Sequence, residues 1–190
     1  GIYKSIQVVK KNNLAKMDVG VVNGHYFFGN MGCALESHFI KSYQKSNRHG
    51  MLAYVIAFFD ALVSFKYQKF QIEYLDKVRE VSPFVLVVSN VNQQGYDFSL
   101  TPQALSDDGL FDLFWMEKSN FLNVIKLFIY ALLKRKSMSK RFNLVCLSTL
   151  KIKLLDQDNF CVQIDGEYLP IASNLMEIKV LPKKLNVIVP

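Results

Sequence analysis

Residues 143–189 constrain the fold of this 190-residue chain more than any other segment, because nearly all of them fall into short apolar and β-branched runs. The runs are separated by Asp, Asn, Gly and Pro, which are the residues typical of tight turns. Strands are predicted at residues 143–148, 150–155, 160–164, 168–171, 175–180 and 186–189. Short strands at this spacing indicate an antiparallel sandwich or barrel.

The preceding residues combine strands with helices. Two β-rich runs flank Asn23-Gly24, a strong signal of a hairpin. Further strands are predicted at 70–75, 84–89 and 110–116, and helices at 35–43, 51–65 and 121–133. The helix at 51–65 carries one apolar stripe, made of Leu52, Val55, Ile56, Phe59 and Val63. The prediction is an α+β, mainly β, antiparallel β-sandwich-like domain with about three helices.

Composition and charge narrow the class of partner. The formal net charge is +7, and the basic residues are clustered, which favours a polyanion such as nucleic acid, nucleotide or anionic lipid. A solvated cationic surface without a partner is the alternative for any one cluster. Cys33, Cys146 and Cys161 have no metal-ligand spacing and are predicted to be reduced core residues of a cytosolic protein. The sequence contains none of the glycine-rich loops that cradle phosphates.

The tripeptide Asp165-Gly166-Glu167 is the first candidate for chemistry. Alternating apolar residues lead into it, and Gly166 supplies the positive φ that a tight hairpin turn needs. Glu167 is therefore predicted to lie on a stiff element, where a general base is best held. An ordinary Asp-Gly hairpin with a solvated Glu167 gives the same pattern and is the commoner case.

Two further acidic features are candidates. Asp107-Asp108 precedes Gly109 in a predicted turn, and carboxylates next to free backbone carbonyls suit a hard divalent cation. A capped turn with hydrated Asp side chains explains this pattern equally. Asp18 lies just before the first hairpin, where a lone Asp is usually a turn residue.

A series of short motifs follows in a fixed order along the chain: Asp18-Val19-Gly20, Asn23 to Phe27, Asn30-Met31-Gly32, Arg48 to Tyr54, Ser89-Asn90, Thr101 to Ala104, Asp107 to Asp112, Asp165-Gly166-Glu167 and residues 180–190. This ordered set resembles the C-terminal domain of the soluble bacterial diacylglycerol kinase family. That family belongs to the lipid-kinase superfamily that includes sphingosine and ceramide kinases. The resemblance extends over essentially the whole chain.

The resemblance implies roles for individual residues. Glu167 is expected to be the catalytic base that activates a lipid hydroxyl for attack on the γ-phosphate of ATP. Asp108, with the backbone oxygens of Leu105 and Leu110, is expected to hold a structural Mg²⁺. Asp18 is expected to join the acidic residues and waters around the catalytic Mg²⁺. Phosphoryl transfer uses such parts, because it depends on positioning, metal charge and a carboxylate near the attacking hydroxyl.

The family's nucleotide loop lies in an N-terminal domain that has no counterpart here. The resemblance therefore implies that residues 1–190 are the lipid-substrate side of a longer kinase, with residues 1–16 leading in from a nucleotide-binding domain that binds ATP. The fragment alone is expected to be inactive. The expected partners are a lipid substrate and a membrane surface, and no nucleic acid. The expected location is the cytoplasm, at the inner face of the membrane. A homodimer is an alternative to a monomer. The alternative is a non-catalytic β-sandwich module that binds anionic membrane or a partner protein.

Overall fold

Apolar and polar residues alternate along several strands of the chain, so each of these strands presents one face to a core. A computed structural model describes residues 1–46, 50–94, 98–119, 121–133 and 142–190. The strands are β1 (Leu14–Val22), β2 (His25–Phe27), β3 (Asn30–Ala34), β4 (Phe70–Tyr74), β5 (Lys77–Val81), β6 (Pro83–Ser89), β7 (Phe111–Glu117), β8 (Phe142–Leu147), β9 (Thr149–Leu154), β10 (Phe160–Ile164), β11 (Glu167–Ile171) and β12 (Leu175–Ile188). The helices are α1 (Ile2–Lys11), α2 (Leu35–Lys45), α3 (Met51–Ser64) and α4 (Phe121–Leu132).

The strands form two six-stranded antiparallel sheets. The first sheet has the order β2-β1-β12-β9-β4-β5, and the second has the order β11-β10-β3-β6-β7-β8. The two sheets make a sandwich, and strands outnumber helices as predicted. The predicted fold class, a mainly β antiparallel sandwich-like domain, is therefore confirmed.

The main core lies between the two sheets. It is closed by aromatic pairs that join one sheet to the other: the Phe70 and Phe160 rings stack at 5.8 Å, and the Tyr74 and Trp115 rings meet edge to face at 5.9 Å. Such pairs add to the free energy of burying the rings, because offset and edge-to-face contacts suit their quadrupoles.

A second core lies on the other face of the second sheet, beneath α2, α3 and α4. Phe114 of β7 stacks on Tyr130 of α4 at 6.2 Å, and Phe39 of α2 meets Tyr54 of α3 edge to face at 4.5 Å. Because the second sheet is covered on both faces, all seven residues of β6 are buried. This explains the continuous apolar run in the sequence of β6.

Several element boundaries differ from the sequence prediction. The two predicted C-terminal strands are one continuous strand, β12, whose residues 178–188 pair with β1 and whose residues 175–179 pair with β9. β3 and β5 were not predicted. β3 contains a glycine and does not alternate, while four of the five residues of β5 are exposed and three of its residues are charged.

The apolar stripe predicted on α3 is present, but it faces outwards. Leu52, Phe59 and Val63 are 74%, 59% and 89% exposed, whereas the buried side of the helix consists of alanines at 53, 57 and 61. Tyr54 and Phe58 also pack against the second core, so the predicted stripe is the side of α3 that faces away from that core.

The cysteine prediction is correct for Cys33 and wrong for the other two. Cys33 is buried in the main core, whereas Cys146 and Cys161 are exposed and all three are free. The exposed pair lies at outward-facing positions of β8 and β10, where alternation along a strand leaves a side chain outside.

Two parts of the sequence prediction lie outside the described residues: the Arg48-His49 portion of one motif, and the basic clusters within 134–141. The segment 1–16 includes α1, which has no buried residue, and the first residues of β1.

Candidate functional site

Asp18 lies in an irregularity between β1 and β12. Met17 pairs with Leu185 and Val19 pairs with Leu181, so β12 advances four residues while β1 advances two. This break turns the backbone N–H of Asp18 away from the sheet, and it donates to Ser106 O at 2.7 Å. The local bulge thus aims a buried carboxylate out of the strand.

Both oxygens of the Asp18 carboxylate accept backbone hydrogen bonds. Oδ2 accepts from the Gly109 N–H and Oδ1 accepts from the Lys183 N–H, each at 2.6 Å, and the Asp18 side chain is fully buried. Short bonds to an ionised acceptor are the stronger class of hydrogen bond. Asp18 therefore fixes the segment 105–110, called here the 105–110 loop, to the first sheet.

The 105–110 loop carries the predicted metal ligands. Asp108 is exposed, its Oδ1 accepts from the Leu110 N–H at 3.0 Å, and Gly109 has the positive φ of 76° that favours glycine. Leu105 and Leu110 lie on the same loop as Asp108, and carboxylate and backbone carbonyl oxygens are the ligand types that Mg²⁺ takes. Among the described residues no group of three or more His, Cys, Asp or Glu side chains is placed to hold a metal. A cation here would depend on backbone oxygens and water.

Asn90 joins Asp18 to residues 28–30, called here the 28–30 segment. Its Nδ2 donates to Asp18 O at 2.8 Å and to Phe28 O at 2.9 Å, and its backbone N–H donates to Gly29 O at 2.8 Å. Its Oδ1 is buried and has no partner within the described part of the chain. Buried polar atoms of this kind are usual sites for an internal water.

The turn before Glu167 is a two-residue hairpin loop. Asp165 and Gly166 have φ values of 49° and 87°, and Ile164 pairs with Glu167 across the loop. Positive φ at both central residues is the requirement of a type I′ turn. The predicted Asp-Gly hairpin is confirmed, and Glu167 begins β11 with its side chain exposed.

The Asp165 carboxylate holds this turn against the 28–30 segment. It accepts the N–H groups of Phe28, Gly29 and Asn30 at 2.8, 2.8 and 2.9 Å, and its own N–H donates to Asn30 O at 2.9 Å. These contacts join residues more than 130 positions apart. A connected set of hydrogen bonds thus runs from the 105–110 loop through Asp18 and Asn90 to the turn that precedes Glu167.

An apolar cavity of about 680 Å³ lies beside the same turn. Its apolar lining comes from α2, α3, α4 and β6: Leu35, Phe39, Ile40, Tyr43, Tyr54, Phe58, Phe84, Val85, Leu127 and Leu132, with Phe98 and Leu100. Its polar lining is Asn30, Glu36, Gln94, Gln163, Asp165 and Gly166. Cavities of this size, mostly apolar with a few polar groups, are typical small-molecule sites.

Three polar side chains meet at this cavity. Gln163 Nε2 donates to Asn30 Oδ1 at 2.7 Å and to Glu36 Oε2 at 3.4 Å, and Gln163 Oε1 accepts from the Gly166 N–H at 2.9 Å. Burial raises the pKa of Glu36 to about 8, against the smaller effect of the Gln163 hydrogen bond. A methyl group at Gly32 would overlap Glu36 Oε2, so the glycine makes room for this carboxyl.

The sequence interpretation did not identify Glu36 or Gln163, and it quoted Asn90 only as part of a motif. Gln163 left a weak signal, because it is a polar residue inside a predicted strand and proves to be 4% exposed. Glu36 gave no signal, because an acidic residue in the first turn of a helix is common on solvated helices.

The helices that line the cavity also expose apolar side chains, called here the apolar helix face. It consists of Leu52, Val55, Ile56, Phe59 and Val63 of α3 and Leu122, Ile125, Ile129 and Leu132 of α4. Both helices contribute to the lining of the same cavity, and concentrated exposed apolar residues mark interaction surfaces more often than scattered ones do. Among the described residues, no helix has both the length and the apolar character needed to cross a bilayer.

Comparison with known proteins gives consistent matches. Residues 36–189 match the family described as the YegS C-terminal NAD kinase beta sandwich-like domain. Diacylglycerol kinases of Bacillus subtilis (strain 168) and Staphylococcus epidermidis (strain ATCC 12228 / FDA PCI 1200) are 25% and 26% identical over 169 and 171 residues. These matches cover 88% of this chain but 55% and 53% of the relatives, so the chain spans about half the length of the curated relatives it matches.

The fold is also that of solved structures. A crystal structure of a diacylglycerol kinase from Bacillus anthracis str. Sterne superimposes with a TM-score of 0.70 at 20% identity, over 100% of this chain and 59% of that chain. A second structure, a putative diacylglycerol kinase from the same organism, gives a TM-score of 0.68 at 19% identity, over 100% of this chain and 61% of that chain.

Proposed function

Because the chain belongs to the family of YegS C-terminal, NAD-kinase-like β-sandwich domains, we propose that it is the lipid-substrate side of an ATP-dependent kinase. The acceptor is the hydroxyl of diacylglycerol or a similar lipid. One observation carries this proposal: the apolar cavity is lined by Asp165 and Gly166, the residues immediately before Glu167. A lipid with its chains in the cavity can place its polar end at the turn that precedes Glu167.

In this proposal Glu167 is the catalytic base. It takes the proton of the lipid hydroxyl, the oxygen forms a bond to the γ-phosphorus of ATP, and the bond to ADP breaks. The hairpin fixes the backbone of Glu167, and Asp165 fixes the hairpin. Mg²⁺, when bound, supplies positive charge near the phosphates, as in other phosphoryl-transfer sites. ATP is bound by another part of the longer protein.

We expect the isolated chain to bind a soluble diacylglycerol, such as 1,2-dioctanoylglycerol, and to show neither Mg-ATP binding nor kinase activity. Leu132 lines the cavity and is 63% exposed, so Leu132→Lys puts a charge at an accessible edge of the site. Losing one apolar contact of this size weakens binding about tenfold or more. Calorimetric titration with each ligand measures these affinities.

Leu133→Lys is the matched control, because Leu133 is a neighbouring, similarly exposed residue that is not part of the cavity lining. It should leave lipid affinity unchanged. A wild-type chain that does not bind the lipid contradicts the proposed acceptor class. Micromolar binding of Mg-ATP by the chain contradicts the assignment of ATP to another domain.

The 105–110 loop is proposed to hold a structural Mg²⁺ through Asp108 and the carbonyls of Leu105 and Leu110. A ligand that binds only the folded state stabilises it by about 2.7 kcal/mol at a hundredfold excess over its dissociation constant. We therefore expect the melting temperature to be higher in Mg²⁺ than in EDTA, and Asp108→Ala to remove the difference. Asp158→Ala, at another exposed Asp, is the control. Melts of the wild type that coincide in both buffers contradict the metal site.

The apolar helix face is proposed to meet the surface of a membrane, on the cytoplasmic side, while the cavity takes up the lipid. Both helices of this face also line the cavity, through Tyr54 and Phe58 of α3 and Leu127 and Leu132 of α4. The formal charge of +7 favours anionic lipids. The non-catalytic alternative, a module that only docks on a membrane, predicts no loss of lipid phosphorylation when Glu167 is changed.

A further inference from the structure

Glu36 lies between the apolar part of the cavity and the turn that leads to Glu167. On α2 its sequence neighbours in the lining are Leu35, Phe39 and Ile40. On its other side it contacts Gln163, whose Oε1 accepts from the Gly166 N–H. Glu36 is thus two hydrogen bonds from the residue preceding Glu167, and next to the apolar lining.

The Glu36 carboxyl has one oxygen engaged and one available. Oε2 accepts from Gln163 Nε2, and within the described residues Oε1 has no hydrogen-bond partner. Gln163 itself is occupied, because its amide nitrogen donates to Asn30 and Glu36 and its oxygen accepts from Gly166. Gln163 therefore orients Glu36 and leaves the free oxygen as the group that a ligand meets.

The pKa of Glu36, raised to about 8 by burial, makes the carboxyl predominantly neutral at pH 7. A neutral carboxyl is a hydrogen-bond donor as well as an acceptor. A carbonyl oxygen on a ligand in the cavity is an acceptor that this donor can pair with. Among the described cavity residues none is cationic.

We propose that Glu36 determines acceptor specificity by donating a hydrogen bond from its carboxyl to an ester carbonyl of the lipid. This inference rests on the proposed function. In a 1,2-diacylglycerol the carbon bearing the free hydroxyl is bonded to a carbon that carries an ester. The cavity lining ends at Asp165 and Gly166, so a lipid whose chains fill the cavity and whose hydroxyl reaches Glu167 carries this ester past the side of the turn where Glu36 lies. The site then selects acyl-linked lipids over ether-linked ones of equal chain length.

The test compares 1,2-dioctanoylglycerol with its ether analogue, 1,2-dioctylglycerol, by calorimetric titration of the chain. The wild type is expected to bind the ester about fivefold to tenfold more tightly, the usual value of one hydrogen bond. Glu36→Gln keeps a donor and should keep the preference. Glu36→Met keeps length but has no donor, so it should weaken ester binding and leave ether binding unchanged. Glu80→Met, at an exposed position of β5, is the control.

The outcomes separate this inference from the proposed function. A wild type that binds neither lipid overturns the proposed function. A wild type that binds both lipids equally overturns the role of Glu36 and leaves the proposed function intact, and this comparison needs no variant to fold. Preferential binding of an amine-bearing lipid such as sphingosine, lost in Glu36→Gln, also overturns it, because Glu36 would then act as an anion.

Discussion

In the longer kinase proposed to contain this chain, Glu167→Gln is expected to lower kcat by at least about a hundredfold and leave the melting temperature nearly unchanged. Glutamine keeps the shape and the hydrogen-bonding reach of Glu167 but removes its basicity. General-base catalysis contributes typically about 10²–10⁴-fold to rate. The side chain is exposed at the start of β11, so its exchange disturbs little packing. Steady-state kinetics with saturating lipid and Mg-ATP, together with thermal melts, measure both effects.

Asp165→Asn is the informative comparison, because it should reduce stability more, and the catalytic rate less, than Glu167→Gln does. The Asp165 carboxylate accepts three backbone N–H groups, and an amide in its place presents a donor to at least one of them. We expect a larger loss of stability, about 1–3 kcal/mol, and a smaller loss of rate than for Glu167→Gln. Near-wild-type turnover of Glu167→Gln would mean that the base lies elsewhere and that the family role does not apply to this residue.

The parts of the fold that were predictable are those whose signal is local. Short apolar and β-branched runs between turn residues predicted the C-terminal strands, and Asn23-Gly24 and Asp165-Gly166 predicted the two hairpins, because each pattern lies within a few residues of sequence. The orientation of the α3 stripe was not predictable. Which face of a helix is buried depends on its neighbours, and here Ala57 and Ala61 lie in the core that α3 shares with α2, α4 and the second sheet.

The candidate site was also predictable only where its signal is local in sequence. The turn before Glu167 is local, but its Asp165 carboxylate binds the N–H groups of the 28–30 segment, which lies more than 130 residues away in sequence. The cavity could not be predicted from the sequence, because residues of α2, α3, α4 and the second sheet, which are distant in sequence, line it together. Asp18 looked like a simple turn residue, since nothing near it in sequence indicates that Gly109 and Lys183 converge on its carboxylate.

Asp18→Ala is expected to lower the free energy of unfolding by about 3–5 kcal/mol, a large share of the stability of a typical domain. The reason is that two buried hydrogen bonds to a carboxylate are lost and the N–H groups of Gly109 and Lys183 lose their acceptor. Asp18→Asn should cost nearly as much, because its amide group turns a donor towards one of these N–H groups. Denaturant unfolding in EDTA measures the change without any contribution from Mg²⁺.

Asp158→Asn, at an exposed Asp, is the matched control and should change the free energy of unfolding by less than about 0.5 kcal/mol. Because Asp18 also holds the 105–110 loop, Asp18→Asn should reduce the Mg²⁺-dependent rise in melting temperature even where the domain still folds. An Asp18→Asn chain as stable as the wild type would show that the bulge relaxes around an amide. The carboxylate would then be explained by the expected place of Asp18 near the catalytic Mg²⁺. In the longer kinase proposed to contain this chain, a loss of kcat without a loss of stability would reveal that role.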